Sequence, residues 1–411
     1  MKSWCKNLLA VGLSVALMSA CSSSDVEEEP VSELVDIQAT VFPEIIWDTS
    51  VGDGVGDYYS QLRPSVRYGK VFVADRNGIV VAFDETSGDE LWKQDFNDVF
   101  EQQLGTKTKG IRLAAGVTAA RSKVFIGGET GLLVALDEAT GDVVWSTQAN
   151  GELLSAPTVA EDVVAVNTSK GTFEAFNVDN GEKLWSYEMQ LPNLTLRGTG
   201  SAVYEAGGFF LGSADGKIAV VVKSNGQAAW EQTVFSPTGA NEFTRMADID
   251  MTPLILGENL YVASYNGNLV SMELRNGRVV WSRKYSSFND LAAAGISLFL
   301  VDDHSRIYSV DRRNGLELWS NSELKNRQLT APAVIDNYIV VGDFEGYLHF
   351  IDRISGEVVG RIEVDSDGLY GQPLVVDDKI YVQGRSGKVA IVSLNKQEQK
   401  NLEEDTETDA E

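Results

Sequence analysis

Two histidines, two cysteines and 60 carboxylates are the side chains from which this 411-residue chain could build a reactive centre. His304 follows Asp302 and Asp303 at a turn and His349 lies in the alternating stretch YLHFID, so both read as structural residues, neither as base nor as metal ligand. Cys5 and Cys21 fall within the first 21 residues, which leaves the body without a thiol nucleophile or an intramolecular disulfide. HExxH, the P-loop and metal-ligand spacings are absent. Asp and Glu are numerous enough that a carboxylate pair for acid–base work stays open. The expectation is recognition, with no catalytic residue, metal or cofactor.

Two stretches have the composition of a recognition surface. In LPNLTLRG, Leu191, Leu194, Leu196 and Arg197 crowd together. Either the leucines tuck beneath their own loop, or apolar groups beside an arginine form a protein-binding hot spot. In FTRMADIDMTP, Arg245, Asp248 and Asp250 precede a strand. They read as solvated or loop-capping groups, or as an acidic spot on the same face that meets a basic partner.

What must position these loops is a repeat. A glycine is followed ten residues later by another and four residues after that by tryptophan, as in Gly78, Gly88, Trp92 and Gly131, Gly141, Trp145. The register returns at Gly171, Gly181, Trp185; Gly216, Gly226, Trp230; and Gly267, Gly277, Trp281. A sixth copy has Ser305, Gly315, Trp319; a seventh has Gly346, Gly356 and then Gly360 in place of Trp; an eighth opens at Gly387 and stops short. Each copy reads as four β-rich strands, for example GVTA, KVFIGG, LLVALD and VVWST. Asn77-Gly78, Asp215-Gly216 and Asn266-Gly267 predict two-residue hairpins with both central residues at positive φ. EATG at 138–141 predicts a type I turn closed by a glycine bulge.

Four antiparallel strands repeated at this period predict an all-β, eight-bladed β-propeller over residues 41–395. PEIIWDTS carries Trp47 at the end of a β-rich run, and the strand around Ile45–Asp48 is expected to complete the eighth blade. Trp47, Trp92, Trp145, Trp185, Trp230, Trp281 and Trp319 are then packing residues between blades, and the glycines backbone requirements. Length varies only between a Trp and the next turn: 39 residues from Trp92 to Gly131, 37 from Trp230 to Gly267 and 31 from Trp185 to Gly216, against 24 from Trp281 to Ser305. Those connections share one face, where partner binding is expected.

Residues 1–20, with Lys2 and Lys6 before LLAVGLSVALM, read as a secretion signal. The segment ending at Cys21 resembles a bacterial lipobox, although Met18 stands where Leu is usual; a plain signal cleaved near Ala20 is the alternative. Residues 21–40 are expected to be a flexible tether carrying a covalent lipid on Cys21, and 396–411 an acidic disordered tail. A formal charge of −26 disfavours a phosphate backbone, so nucleic acid is not an expected partner.

AFDETSGDELW and ALDEATGDVVW resemble the PQQ-like propeller repeat. Taken with the lipobox, the blade count and the LTLRG and RMADIDMTP segments, the chain resembles the BamB family of outer-membrane assembly factors over nearly its whole mature length. That resemblance implies a non-enzymatic scaffold of the barrel-assembly machinery, lipid-anchored at the periplasmic face of the outer membrane. It would bind the POTRA domains of BamA, meet other Bam lipoproteins through the complex, and help deliver unfolded outer-membrane proteins. The matching contact positions are Leu194, Leu196, Arg197, Asp248 and Asp250; Leu191 and Arg245 are added as neighbours. Strands of unfolded clients are expected to pair with open blade edges. Two alternatives remain, a periplasmic PQQ-dependent dehydrogenase and a propeller adaptor such as a cell-wall binder.

Overall fold

The second and third strands of each repeat are apolar on both sides, whereas the fourth alternates. In the computed structural model, which describes residues 30–58, 60–97, 110–236 and 241–395, this pattern becomes eight four-stranded antiparallel sheets. The proposed signal, Cys21 and the acidic tail lie outside the described residues. Strand Leu132–Asp137 is buried along its middle because neighbouring sheets cover both its faces. The outer strand Val143–Gln148 buries only Trp145.

Blade 1 comprises Ser65–Arg67, Lys70–Ala74, Ile79–Asp84 and Glu90–Asp95, and blade 2 Leu113–Ala120, Lys123–Gly128, Leu132–Asp137 and Val143–Gln148. Blades 3 to 7 follow the same order, ending in the outer strands Lys183–Glu188, Ala228–Thr233, Val279–Arg283, Glu317–Asn321 and Val358–Glu363. Blade 8 takes Leu374–Val376, Lys379–Gln383 and Lys388–Leu394 from the end of the propeller and Pro43–Ser50 from its beginning. Pro43 faces Leu394 and Ser50 faces Lys388, so the expected closure is present and the last sheet gains its fourth strand.

The repeat's spacing has a mechanical explanation. Each outer-strand Trp lies on the second glycine of the following blade: a Cβ on Gly141 would come within 2.6 Å of the Trp92 ring, and one on Gly181 within 2.6 Å of Trp145. The same seat holds Trp47 on Gly88, Trp185 on Gly226, Trp230 on Gly277, Trp281 on Gly315 and Trp319 on Gly356. The Trp145 Nε1–H also donates to the Val178 carbonyl at 3.0 Å, and Trp92 to that of Glu138 at 3.0 Å. A large apolar ring is thus buried while its one polar group is satisfied across the joint. Just before each Trp, one outer-strand residue drops out of register, a bulge that re-aims the indole toward the next blade. The bulged side chains, Leu91, Val144, Leu184, Val280 and Leu318 among them, are close to half exposed.

The turns between second and third strands differ from expectation. They are three-residue loops: Asp75 N–H reaches the Ile79 carbonyl, and Gly78 alone takes positive φ, at 107°. Ser213–Lys217 closes likewise with Gly216 at 77°, while in Ser264–Asn268 it is Asn266, at 53°, that is left-handed and Gly267 is not. One left-handed residue suffices because the first loop residue braces the wider turn, as when Asp75 Oδ1 accepts the Ile79 N–H at 2.7 Å. Ser305, at the glycine position of the sixth copy, adopts φ 62°. At 138–141 the expected glycine closure is present, with Gly141 at φ 77°.

Candidate functional site on the long-connection face

Successive strands run in opposite directions, so the outer-to-inner connections and the turns between second and third strands share one face. Two of the long connections, from Glu188 to Val203 and from Thr233 to Leu254, lie side by side there. A buried carboxylate joins them: Asp248 Oδ1 accepts the Leu196 N–H at 3.0 Å. Gly198 and Gly200 permit the contact to be close, since a Cβ on Gly198 would meet Asp250 Oδ2 at 2.6 Å and one on Gly200 the Met251 carbonyl at 2.4 Å.

Asp248 and Asp250, one expected reading of which was an exposed acidic spot, are instead buried, at 0% and 9% exposure. The capping reading is the one that matches Asp248. Burial pushes the Asp248 carboxyl up to about 6; burial, together with the Asp248 charge, pushes Asp250 up to about 8. The pair shares a charge held mainly on Asp248, and burial keeps it from the surface that a partner would meet. Asp248 Oδ2 and Asn167 Oδ1 are buried acceptors without a protein donor. Beside them a cleft of about 230 Å³ runs between Asn167, Leu191, Leu196, Arg197 and Asp250.

Arg197 is half exposed, and its Nη2 lies 3.1 Å from Glu129 Oε1 and 3.8 Å from Glu152 Oε2. Glu129 also meets Arg76 at 3.0 Å and Arg112 at 3.8 Å, so three guanidiniums from different blades converge on one carboxylate. This patch is basic, the reverse of the expected acidic spot. Leu191 is 47% exposed and lies over Gly171, and Leu194 and Leu196 are half-buried. The leucines therefore divide between tucking under and facing outward. Arg245 is exposed at the end of a short 3-10 turn, Phe243–Arg245, whose Phe243 is 69% exposed.

Sequence reasoning missed Glu129, Arg76, Arg112 and Phe243. Their only signal was placement: Glu129 is the first residue of its blade's turn, and the arginines come from blades and connections far apart in the chain. His304 is exposed at its turn, whereas His349 is fully buried beside Asp343, away from this face's cleft. Among the described residues no group of three His, Cys, Asp or Glu side chains could hold a metal ion. At the centre of the ring, Arg63 Nη1 donates to Gln372 Oε1 at 2.6 Å and the Thr252 N–H to Asp290 Oδ1 at 2.6 Å. Residues of seven blades line the cavity of about 50 Å³ left between them.

A family model described as outer membrane protein assembly factor BamB matches residues 76–321 and 304–402. The chain is 74% identical over 394 residues to the outer membrane protein assembly factor BamB of Shewanella oneidensis, covering 96% of this chain and all of that one. The crystal structure of BamB from Moraxella catarrhalis superposes with a TM-score of 0.77 at 26% identity, over 86% of this chain and all of that one. Quinohemoprotein alcohol dehydrogenase from Comamonas testosteroni shares the fold alone, with a TM-score of 0.65 at 14% identity over 85% of this chain and 76% of that one.

Proposed function

The chain belongs to the outer membrane protein assembly factor BamB family, and from that premise we propose that it is a non-enzymatic scaffold of barrel assembly, held by a lipid on Cys21 at the periplasmic face of the outer membrane. Its long-connection face docks on the POTRA domains of BamA, which brings it beside the other Bam lipoproteins and the unfolded outer-membrane proteins being inserted. The observation that carries this reading is the Leu196–Asp248 hydrogen bond. By locking two loops together it holds Leu191, Leu194 and Arg197 in a fixed array, which lowers the ordering cost of association.

The chemistry of docking differs from simple acid–base pairing. Asp248 and Asp250 act from below, as buried posts for the loops, while Arg197 and the leucines make the contact. Arg197 exchanges part of its hold on Glu129 for a partner carboxylate or carbonyl, a role suited to its forked donors. Against the dehydrogenase alternative, the likeness to quinohemoprotein alcohol dehydrogenase is one of fold alone, at 14% identity.

Calorimetric titration of the chain from residue 22 onward against its own BamA POTRA domains tests the reading. The parent binds, and a Leu194→Ala, Arg197→Ala double variant with unchanged circular dichroism loses at least about tenfold in affinity, the scale of one lost hot spot. A parent that fails to bind sinks the docking reading and leaves the cell-wall alternative to be screened.

A further inference from the structure

A flexible tether is expected over residues 21–40, yet from Ser32 to Val41 the chain lies along the outer side of blade 7. Ser32 N–H donates to the Lys325 carbonyl at 3.0 Å, and the Thr40 and Val41 N–H groups both reach the Val359 carbonyl, at 2.9 and 3.1 Å. Leu34 and Ile37 pack against an apolar cluster that includes Phe299, Leu324 and Val358. Two arginines complete the hold: Arg327 Nη1 donates to the Ser32 carbonyl at 3.0 Å and Arg361 Nη1 to that of Val35 at 3.4 Å.

Those arginines share one buried foundation. Arg327 is 2% exposed and donates through Nε to Asp343 Oδ2 at 2.8 Å, with Glu345 pairing at its other end. Asp343 Oδ2 is also 2.9 Å from His349 Nε2, and Arg361 Nε donates to His349 Nδ1 at 3.2 Å. A histidine that accepts at Nδ1 and donates at Nε2 is neutral, and it links the two guanidiniums so that each fixes the other's direction. Asp343 Oδ1 braces its own turn, accepting the Tyr347 N–H at 2.9 Å, while its Oδ2 and His349 aim two donors at the backbone of this segment.

We propose that residues 32–41 are a fixed strap, clamped by Arg327 and Arg361, which makes the N-terminal chain leave the propeller on its long-connection face and turns that face toward the surface holding Cys21. Lys325 and Arg327 lie in the connection between blades 6 and 7, Asp343 and Glu345 in the turn between the second and third strands of blade 7. Both kinds of loop belong to the face that carries Leu196 and Asp248. From Cys21 to Ser32 the chain can span at most about 40 Å, at roughly 3.3–3.6 Å per residue. A propeller attached at residue 41 by a free tether could turn either face to the membrane; one released at Ser32 cannot do so equally. The orientation rests on the lipid-anchor reading, whereas the clamp does not.

The test uses the full chain purified from membranes and reconstituted in phosphatidylethanolamine–phosphatidylglycerol vesicles. A photo-crosslinking residue is placed at Gln190, on the long-connection face, or at Thr86, on the opposite face. Hydrogen exchange is read at the Ser32, Thr40 and Val41 amides. The expected result is lipid labelling mainly from position 190, with those amides exchanging at least about 100-fold more slowly than free chain, the mark of a locally folded segment. Arg361→Ala combined with Leu34→Ser and Ile37→Ser removes both the protection and the bias of labelling, while exchange in the blade cores stays unchanged. Free-chain exchange in the parent overturns the clamp. Equal labelling from both faces with protected amides overturns the orientation. Protected amides on a chain that does not float with vesicles overturn the anchor reading, and with it the membrane-facing half of the proposal.

Discussion

Trp145 of blade 2 lies on Gly181 of blade 3, but at the equivalent place on blade 7 the chain has Gly360, with Val41 above it. A Cβ on Gly360 would come within 2.9 Å of the Val41 carbonyl and 3.1 Å of its Cβ. The other joints need a Trp on one side and a glycine turn between third and outer strands on the other. Blade 8 has no such turn, since its outer strand comes from the N-terminus and its third strand leads into the tail. A tryptophan there would have no glycine to rest on. The space is filled by Val41, 1% exposed and delivered by the strap. A missing repeat residue thus marks where the ring was closed by two distant segments.

Substitutions at the two kinds of joint should separate them. Gly181→Val adds a Cβ into the Trp145 ring at φ 72°, so strain and overpacking together should lower stability by about 2–6 kcal/mol. Urea midpoints check this, and a midpoint equal to the parent's would remove the glycine seat from the explanation. Trp145→Ala leaves a cavity at the same joint, with an expected cost of about 3–5 kcal/mol. Val41→Ala, at the odd joint, removes less buried surface and should cost about 1–3 kcal/mol. The discriminating variant is Gly360→Trp. If Val41 occupies the place of the missing indole, restoring the repeat residue destabilises the protein and exposes residues 32–41 to proteolysis; a stabilised variant would mean that the seat exists after all.

A smaller, pH-dependent effect separates the rigid joints from the loop face. Asp250 has its carboxyl raised to about 8, above an ordinary value near 4. The folded state therefore holds a proton that the unfolded chain has released. Its contribution is fully present at low pH and is lost as pH rises from about 4 to about 8. Asp250→Asn should flatten that slope, leaving the variant close to the parent near pH 4 and more stable than it at pH 9. Thermal melts across that range measure it; parallel curves for parent and variant would show that Asp250 is ionised in the folded protein throughout.

The repeat made the architecture readable because its period records a contact that recurs at the same geometry. The spacing of Gly141 and Trp145 is that of one blade being at once a seat for the blade before it and a lid for the blade after. Trp47, far in the chain from the other strands of its own blade, could be placed because its flanking strand matched an outer strand. The site was less readable. LTLRG and DID stood out, but alternation around a loop aspartate does not say whether the side chain points out or in. The difference decides between a charged contact and a buried post. The turns were misjudged on similar grounds, since Asn-Gly is compatible with two loop lengths and the bracing side chain, Asp75 in one case, selects the longer.

From the sequence alone came the eight blades, the ring closure by the strand around Ile45–Asp48 and the recurring glycine–tryptophan register, because each follows from local chemistry repeated at a fixed interval. Only the tertiary structure could decide that Asp248 and Asp250 are hidden, that Arg76, Arg112 and Arg197 converge on Glu129, and that residues 32–41 are strapped to blade 7. Those facts depend on which loops of different blades meet in space, and no repeat in the chain encodes a contact that is made only once.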